Sequence, residues 1–256
     1  MSPDDAATAY GRFTGRFSEA LALEFIDFVD PAPGQRVLDV GCGPGALTQL
    51  LVDRLGPTGV AGVDPSEAFV EAARVRLPGV DLRPASAEDL PYADGTFDAA
   101  LAQLVVHFMT DPVAGLREMS RVTRPGGLVA ACVWDNAGGA GPLSALWRAA
   151  QELDPTVRDE SGGAGAREGH LAELAREAGL ERVESSTLTV EVPFETFHEW
   201  WEPFPLGVGS GGAYVQGLEE AARDALRGRL EGELGPGPFS AAASAWCLRA
   251  EAPSRT

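Results

Sequence analysis

The amino-acid sequence predicts a doubly wound α/β fold, in which a mostly parallel sheet carries helices on both faces. Two observations lead to this prediction. Short apolar segments rich in valine alternate with amphipathic segments at helical spacing over the first half of the chain, and the alternation returns near its end. Strands that alternate with helices are typical of parallel sheets. A chain of 256 residues, 45% of them hydrophobic, has room for one core with an elaboration.

The first predicted unit is a helix, a strand, a glycine turn and a second helix. The opening helix covers residues 6–30, where leucine and phenylalanine alternate with acidic residues until two prolines end it. A short apolar strand over residues 37–40 enters a cluster of glycines, and helical spacing resumes over residues 46–55. The order is that of a strand–turn–helix unit.

The remaining elements repeat this alternation, less regularly after residue 135. Strands are predicted over residues 59–63, 80–83, 98–104, 128–134, 183–192 and 239–249. Helices are predicted over residues 66–76, 112–123, 143–153 and 168–178. The glycine- and aromatic-rich segment 194–237 interrupts the pattern. We therefore expect one core, residues 1–193 with 238–256, and a small helical insertion over residues 194–237 near the C-terminus.

The glycine turn Gly41-Cys42-Gly43-Pro44-Gly45 lies between a strand and a helix, where glycine lets a ligand approach the main chain closely. Asp64 ends the next strand, about twenty residues on, where a carboxylate can accept hydrogen bonds from ribose hydroxyls. Dinucleotide enzymes use G-x-G-x-x-G, whereas this loop is G-x-G-x-G. Asp39, just before the loop, suits a positively charged ligand better than a pyrophosphate. The pattern indicates an adenosine cofactor other than a dinucleotide.

Four segments in order, residues 37–45, 63–66, 90–98 and 116–127, resemble the successive motifs of class I S-adenosylmethionine-dependent methyltransferases. The closest subgroup is the type 11 family, which includes ubiquinone and menaquinone methyltransferases. The resemblance covers the first half of the chain. It implies a Rossmann-like, seven-stranded sheet, S-adenosyl-L-methionine as cofactor and methyl transfer as the reaction. It says little about the methyl acceptor.

The resemblance implies roles for residues that match the family's motifs. Asp39 would orient the methionine ammonium, the Gly41 and Gly43 backbones would line the methionine portion, and Asp64 would hold the ribose.

The adenine contacts come from two further segments. Pro65 and Ser66 would flank the adenine ring, and the Ala87 amide would face it. Many relatives carry an acid where this chain has Ser86, so either the Ser86 hydroxyl or Glu88 would bind the adenine amine.

Two more residues are expected near the cofactor. Gln103, at the end of its strand, would lie between cofactor and substrate. Arg16 would pair with the methionine carboxylate, or alternatively lie on a solvated helix face.

His107 is the first candidate general base and Asp135 the second, if the acceptor needs one. His107 can equally be a packing residue. Aromatic residues near the N-terminus are expected to close the acceptor pocket. The aromatic run around Trp200 would form either a lid over that pocket or a small hydrophobic core. The predicted pocket residues are Tyr10, Phe13, His107, Trp134, Trp200, Trp201 and Phe204.

The formal net charge of −18 disfavours nucleic acid as a partner, because phosphate binding depends on basic side chains. No apolar segment is long enough to span a bilayer, so we expect no membrane partner. We expect a cytoplasmic location. No histidine or acidic cluster has metal-ligand spacing, and no metal is expected.

The sequence therefore predicts methyl transfer to a small molecule, such as a natural product or a quinone-like compound. Alternatives are a cofactor-binding protein with altered chemistry or a regulatory role, a methyltransferase acting on protein or RNA, and a nicotinamide-dependent oxidoreductase, which the glycine spacing disfavours. The acceptor atom and the oligomeric state stay open.

Overall fold

The computed structural model describes residues 13, 15–207 and 209–254. These residues form a seven-stranded sheet with the order β3-β2-β1-β4-β5-β7-β6. Strands β1 to β5 are mutually parallel, and β7 lies antiparallel between β5 and β6. The strands are β1 (Val37–Val40), β2 (Val60–Asp64), β3 (Asp81–Pro84), β4 (Phe97–Gln103), β5 (Thr123–Trp134), β6 (Glu181–Phe194) and β7 (Phe239–Glu251).

Helices cover both faces of the sheet, as the sequence predicts. They are α1 (Arg16–Val29), α2 (Ala46–Leu55), α3 (Glu67–Arg76), α4 (Pro112–Val122), α5 (Ser144–Leu153), α6 (His170–Glu177), α7 (Phe197–Trp201), α8 (Gly209–Gly217) and α9 (Glu220–Leu234). Short 3-10 turns add Pro57–Gly59, Val106–Phe108 and Phe204–Leu206. The predicted first helix is seen from Arg16 onward; its earlier part lies outside the described residues, apart from Phe13 and Gly15. None of the described helices is both long and apolar enough to cross a membrane.

Successive side chains of each central strand point to opposite faces and join different clusters of buried residues. Val37 packs with helices α1, α2 and α5 on one face, whereas Leu38 packs with helices α4 and α6 on the other. Strands buried on both faces are expected in a parallel sheet covered by helices. The predicted α/β fold is therefore confirmed.

Strand β5 begins at Thr123, five residues earlier than the sequence predicts. The reason is tertiary: Gly126 N donates to Ala252 O, and Ala252 N donates to Gly127 O, so the chain beyond β7 pairs with the turn before the apolar part of β5. Apolar periodicity does not report such pairing.

The segment between β6 and β7 forms helices α7, α8 and α9 rather than a separate core. Its buried side chains, among them Phe197, Trp200 and Leu226, belong to the same cluster as Phe17 and Phe25 of α1. The insertion is thus packed onto the helix α1 face of the sheet.

Candidate functional site

The glycine loop leaves β1 at the carboxyl edge of the parallel sheet, where open α/β folds bind ligands. Gly41 N and Cys42 N both donate to Val63 O, at 2.7 and 2.9 Å, which ties the loop to the end of β2. Gly41 and Gly43 have φ values of 72° and 52°, a region that side-chain-bearing residues rarely adopt. The three glycines of the motif are therefore required by the turn itself.

Asp39 lies beneath this loop with 1% of its surface exposed. The hydroxyl of Thr48, on α2, donates to Asp39 Oδ2 at 2.6 Å. Burial away from water raises the pKa of Asp39 to about 7, the Thr48 hydrogen bond opposes that rise, and the neighbouring Asp64 adds to it. A positive charge bound beside Asp39 would stabilise its ionised form.

Asp64 ends β2 and joins the glycine loop to the start of helix α3. Its Oδ2 accepts from Gly43 N at 3.0 Å and its Oδ1 accepts from Ser66 N at 2.8 Å. Each carboxylate oxygen can accept a further hydrogen bond, so Asp64 is able to bind hydroxyl donors while keeping both contacts.

These residues fit S-adenosylmethionine. A Cβ built on Gly43 meets no atom within 4 Å, so the loop presents open backbone there. The buried carboxylate of Asp39 suits the cationic end of this ligand, and the Asp64 carboxylate, which can accept further hydrogen bonds, suits its ribose hydroxyls. Asp39, Gly41, Gly43 and Asp64 are the residues that would hold it.

The expected adenine contacts are placed on two segments. Pro65 is exposed and Ser66 caps helix α3, its hydroxyl accepting from Phe69 N at 3.4 Å. Ala87 is buried and Ser86 is half-buried on the loop after β3.

Glu88 lies close to the start of helix α4. Its Oε1 accepts from Thr110 N at 2.8 Å and from Asp111 N at 3.3 Å, so this carboxylate organises the entry to helix α4. Which of Ser86 and Glu88 would bind the adenine amine stays a prediction.

The segment after β4 lies between the glycine loop and the rest of the cleft. Gln103 Nε2 donates to Ser18 O on helix α1 at 2.8 Å, while Gln103 Oε1 is buried without a described hydrogen-bond partner. Leu104 has a φ of 59°, an uncommon value for a branched residue. Val105 packs on Gly41, since a Cβ at Gly41 would stand 2.3 Å from Val105 Cγ2. Gln103 thus fixes α1, and its contact with the cofactor stays a prediction.

Next to this segment lies a cavity of about 190 Å³, which we call the aromatic cavity. Its lining residues are Phe13, Leu104, His107, Phe108, Trp134, Asn136, Pro142, Leu143, Glu160, Pro203, Phe204 and Gly209 to Gly212. The structure thus brings Phe13, His107, Trp134 and Phe204 together, from four distant parts of the chain. Tyr10, also expected here, lies outside the described residues.

His107 is half-buried in the 3-10 turn that follows β4, with its ring centroid 4.0 Å from that of Phe108. Its Nδ1 is buried, and no described group hydrogen-bonds to it. Burial lowers the pKa of His107 to about 4, because an apolar setting disfavours the charged imidazolium. The imidazole is neutral at physiological pH and is a weak base.

Trp200 and Trp201 were expected in the pocket wall, and this is corrected. They are 1% and 5% exposed and pack in the core of the sheet face that holds α1. The Trp200 and Phe13 ring centroids are 5.8 Å apart in an edge-on arrangement. The large apolar surface of tryptophan is better buried than exposed, so these rings support the cavity wall from behind.

Arg16 has partners that the sequence did not predict. Arg16 Nη1 donates to Glu199 Oε1 at 2.7 Å, a second nitrogen donates to Pro193 O, and the guanidinium lies 4.3 Å from the Phe194 ring centroid. These contacts fasten helix α1 to the insertion. Pairing of Arg16 with the methionine carboxylate would compete with these contacts, and it stays a prediction.

Asp135 is also not placed as a base. Its Oδ1 accepts from Gly138 N at 2.7 Å, and it holds the turn that follows β5. Asn136, the next residue, lines the aromatic cavity.

Sequence reasoning missed several residues that the structure places at the site. Thr48 is one of several polar residues in α2. Its position two residues after the start of that helix, next to the glycine loop, was the signal that could have identified it. Val105, Asn136 and Glu160 carry no motif, so no pattern could have found them. The glycines after Gly207 do form a visible run, but their closeness to the cavity depends on tertiary packing.

Comparison with known proteins agrees with the motifs. Residues 38–131 match the family model described as a methyltransferase domain. An uncharacterized methyltransferase of Mycobacterium tuberculosis is 34% identical over 134 residues, which is 51% of this chain and 54% of that protein. The nocamycin O-methyltransferase of Saccharothrix syringae is 34% identical over 132 residues, 49% of this chain and 47% of that protein. The chain spans about half the length of these curated relatives.

Among solved structures, phosphoethanolamine N-methyltransferase 2 of Haemonchus contortus, in complex with phosphomonomethylethanolamine and S-adenosylhomocysteine, has a TM-score of 0.55 and 17% identity. The match covers 96% of this chain and 59% of that one. At this identity the likeness shows the fold.

Proposed function

We propose that this chain, whose residues 38–131 match the methyltransferase-domain family model, transfers the methyl group of S-adenosylmethionine to a small molecule bound in the aromatic cavity. The cofactor of the family supplies an activated methyl group on a sulfonium. The protein has to hold that group and the acceptor in line and keep water away.

One observation supports the proposal above the others: a single segment, residues 103–108, connects the two halves of the site. Val105 packs on Gly41 of the glycine loop, and its neighbours Leu104 and His107 line the aromatic cavity. The glycine loop and the aromatic cavity therefore adjoin the same segment. This supports a position for the acceptor next to the cofactor, which direct displacement needs.

The residues around the cavity suit this reaction. Displacement at a sulfonium disperses positive charge, so an apolar wall does not oppose it. Phe13, Trp134 and Phe204 exclude water from the acceptor, and neutral His107 can take a proton when the acceptor is an alcohol or a phenol. The relative that acts in nocamycin O-methylation, by its name, supports an acceptor of natural-product size.

The charge of the chain supports a small molecule rather than nucleic acid. The formal net charge is −18 and the sequence contains no lysine, so a phosphate backbone would meet a repulsive surface.

The test has two parts. Titration calorimetry with S-adenosylmethionine and with a nicotinamide cofactor should show binding of the first alone, and Asp64→Ala should weaken that binding at least tenfold. Release of S-adenosylhomocysteine is then measured against a library of ring-bearing alcohols, phenols and amines, with a peptide mixture and transfer RNA as comparisons. Turnover with small molecules supports the proposal. Tight cofactor binding with turnover only on peptide or RNA, or with none at all, contradicts it.

A further inference from the structure

Among the residues that the structure describes, Glu160 is the acidic residue that lines the aromatic cavity. This residue is half-buried on the loop between α5 and α6, and the hydroxyl of Ser210 at the start of α8 donates to its Oε1. Within the described ranges, no arginine or histidine forms an ion pair with Glu160, although fourteen other ion pairs are formed there. Glu160 thus brings negative charge to the cavity with only a neutral hydroxyl as partner.

None of the other described lining residues carries a positive charge. The described lining residues include no arginine, the sequence has no lysine, and His107 is neutral. Four aromatic residues, Phe13, Phe108, Trp134 and Phe204, line the cavity, and Phe108 is exposed. Aromatic faces attract cations through their negative quadrupole, and a carboxylate does so through its charge.

A second, more polar recess adjoins the cavity and shares Asn136 and Glu160 with it. The recess also contains Asp159 and Arg148, and the Arg148 guanidinium already forms an ion pair with Glu233 on α9. Glu160 therefore lines both the apolar cavity and the more polar recess. A ligand with a ring and a charged substituent would match this boundary.

We propose, building on the methyl-transfer function above, that the acceptor is an apolar ring compound carrying a protonated amine, with the ring in the aromatic cavity and the ammonium against Glu160. A protonated amine has no lone pair, so this group anchors the molecule and a second group, nearer Leu104, accepts the methyl. Glu160 is a specificity residue that favours cations and rejects anions.

The preference follows from the negative charge of Glu160 and the uncharged described residues around it. A carboxylate substituent in the same place would face Glu160 at short range, where the reduced dielectric of a partly closed cavity strengthens the repulsion. A neutral hydroxyl would gain a hydrogen bond but no ionic attraction. The order of affinity is therefore amine, then alcohol, then carboxylate.

Three probes of one shape test this order: 1-naphthylmethylamine, 1-naphthalenemethanol and 1-naphthoic acid. Their affinities are measured by calorimetry on the full chain with S-adenosylhomocysteine present at saturation. We expect the amine to bind about tenfold or more tightly than the carboxylate, a difference of about 1.4 kcal/mol. Glu160→Gln should weaken amine binding about tenfold and leave the alcohol within twofold.

The matched control is Glu24→Gln, on the exposed face of α1, which changes the net charge equally and should leave the three affinities as they are. Thermal unfolding of both variants shows that each is folded. Equal binding of amine and carboxylate, no binding of the amine, or a ranking that Glu160→Gln does not change would overturn the proposal. Since these measurements need no turnover, failure of methyl transfer would be recognised separately.

Discussion

The side chain of Val105 packs directly on the backbone of Gly41, so the segment after β4 covers the glycine loop. A Cβ at Gly41 would lie 2.3 Å from Val105 Cγ2 and 2.8 Å from Val105 Cγ1, distances that atoms do not tolerate. Gly41 is therefore constrained twice, by its positive φ and by its neighbour. The two structural halves of the site meet at this contact.

Gly41→Ala should destabilise the protein by about 2–4 kcal/mol, through the clash and the backbone strain together. Gly43→Ala shares only the strain, since no atom lies near its Cβ, and should cost about 1 kcal/mol while weakening cofactor binding. Urea unfolding and calorimetry measure the two effects. Val105→Ala should recover part of the stability of Gly41→Ala in the double variant; strictly additive effects would show that the contact is not the cause.

Asp39 should make stability fall as pH rises. Its pKa is raised to about 7 in the folded state, from an ordinary value near 3.8, so between pH 4 and pH 7 the unfolded chain has already lost a proton that the folded chain keeps. The resulting stabilisation is complete below pH 4 and disappears above pH 7, with an upper bound of about 4 kcal/mol. Urea unfolding from pH 4.5 to 8 measures this. The free energy of unfolding of Asp39→Asn should rise relative to that of the natural chain as pH increases. A constant difference across that range would contradict this assignment.

His107→Ala should lower turnover about a hundredfold if the acceptor is an alcohol or a phenol, and leave cofactor affinity within twofold. Because the pKa of His107 is lowered to about 4, the imidazole stays neutral above pH 5 and should add no step to the pH–rate profile near pH 6.5. His198→Ala, at an exposed histidine on α7, is the control. Unchanged turnover of His107→Ala would remove its role as a base.

Stability has the opposite pH dependence at His107. The unfolded chain binds a proton near pH 6.5 that the folded chain binds only near pH 4, so the contribution present above pH 6.5 is lost as pH falls toward 4. The natural chain should thus lose up to about 3 kcal/mol relative to His107→Gln over that range. Unfolding curves at pH 4.5, 5.5 and 7 show whether this difference develops.

Arg16→Met should leave the affinity for S-adenosylmethionine within twofold, because the guanidinium is already held by Glu199 and Pro193. It should reduce stability by about 1 kcal/mol, since the ion pair is partly exposed and the contact with the Phe194 ring is lost. Calorimetry and urea unfolding separate the two quantities. A tenfold loss of cofactor affinity would restore Arg16 as the partner of the methionine carboxylate.

Trp200→Ala should destabilise the protein by about 3–5 kcal/mol and leave acceptor preference unchanged, because the side chain is buried behind the cavity. Phe204→Leu should change the KM ratios among acceptors, because the Phe204 ring lies in the wall. Steady-state kinetics below the unfolding temperature measure the KM ratios of both variants. Altered acceptor preference in Trp200→Ala alone would indicate that the tryptophan does reach the ligand.

By itself the sequence determined the α/β fold, the order of its elements and the cofactor loop with Asp39 and Asp64. These features depend on local rules: apolar periodicity, the backbone freedom of glycine, and the spacing between one strand end and the next. Helix α2 begins and ends at the predicted residues, 46 and 55, for the same reason.

Which side chains line the aromatic cavity depends on tertiary packing. Phe13, Trp134, Glu160 and Phe204 lie far apart in the chain and share no pattern, so only packing brings them together. The same packing moved Trp200 into the core and paired Arg16 with Glu199. The sequence shows the chemistry of an aromatic residue or an arginine but not where its side chain points in the fold. That direction depends on which apolar surfaces the fold can bury.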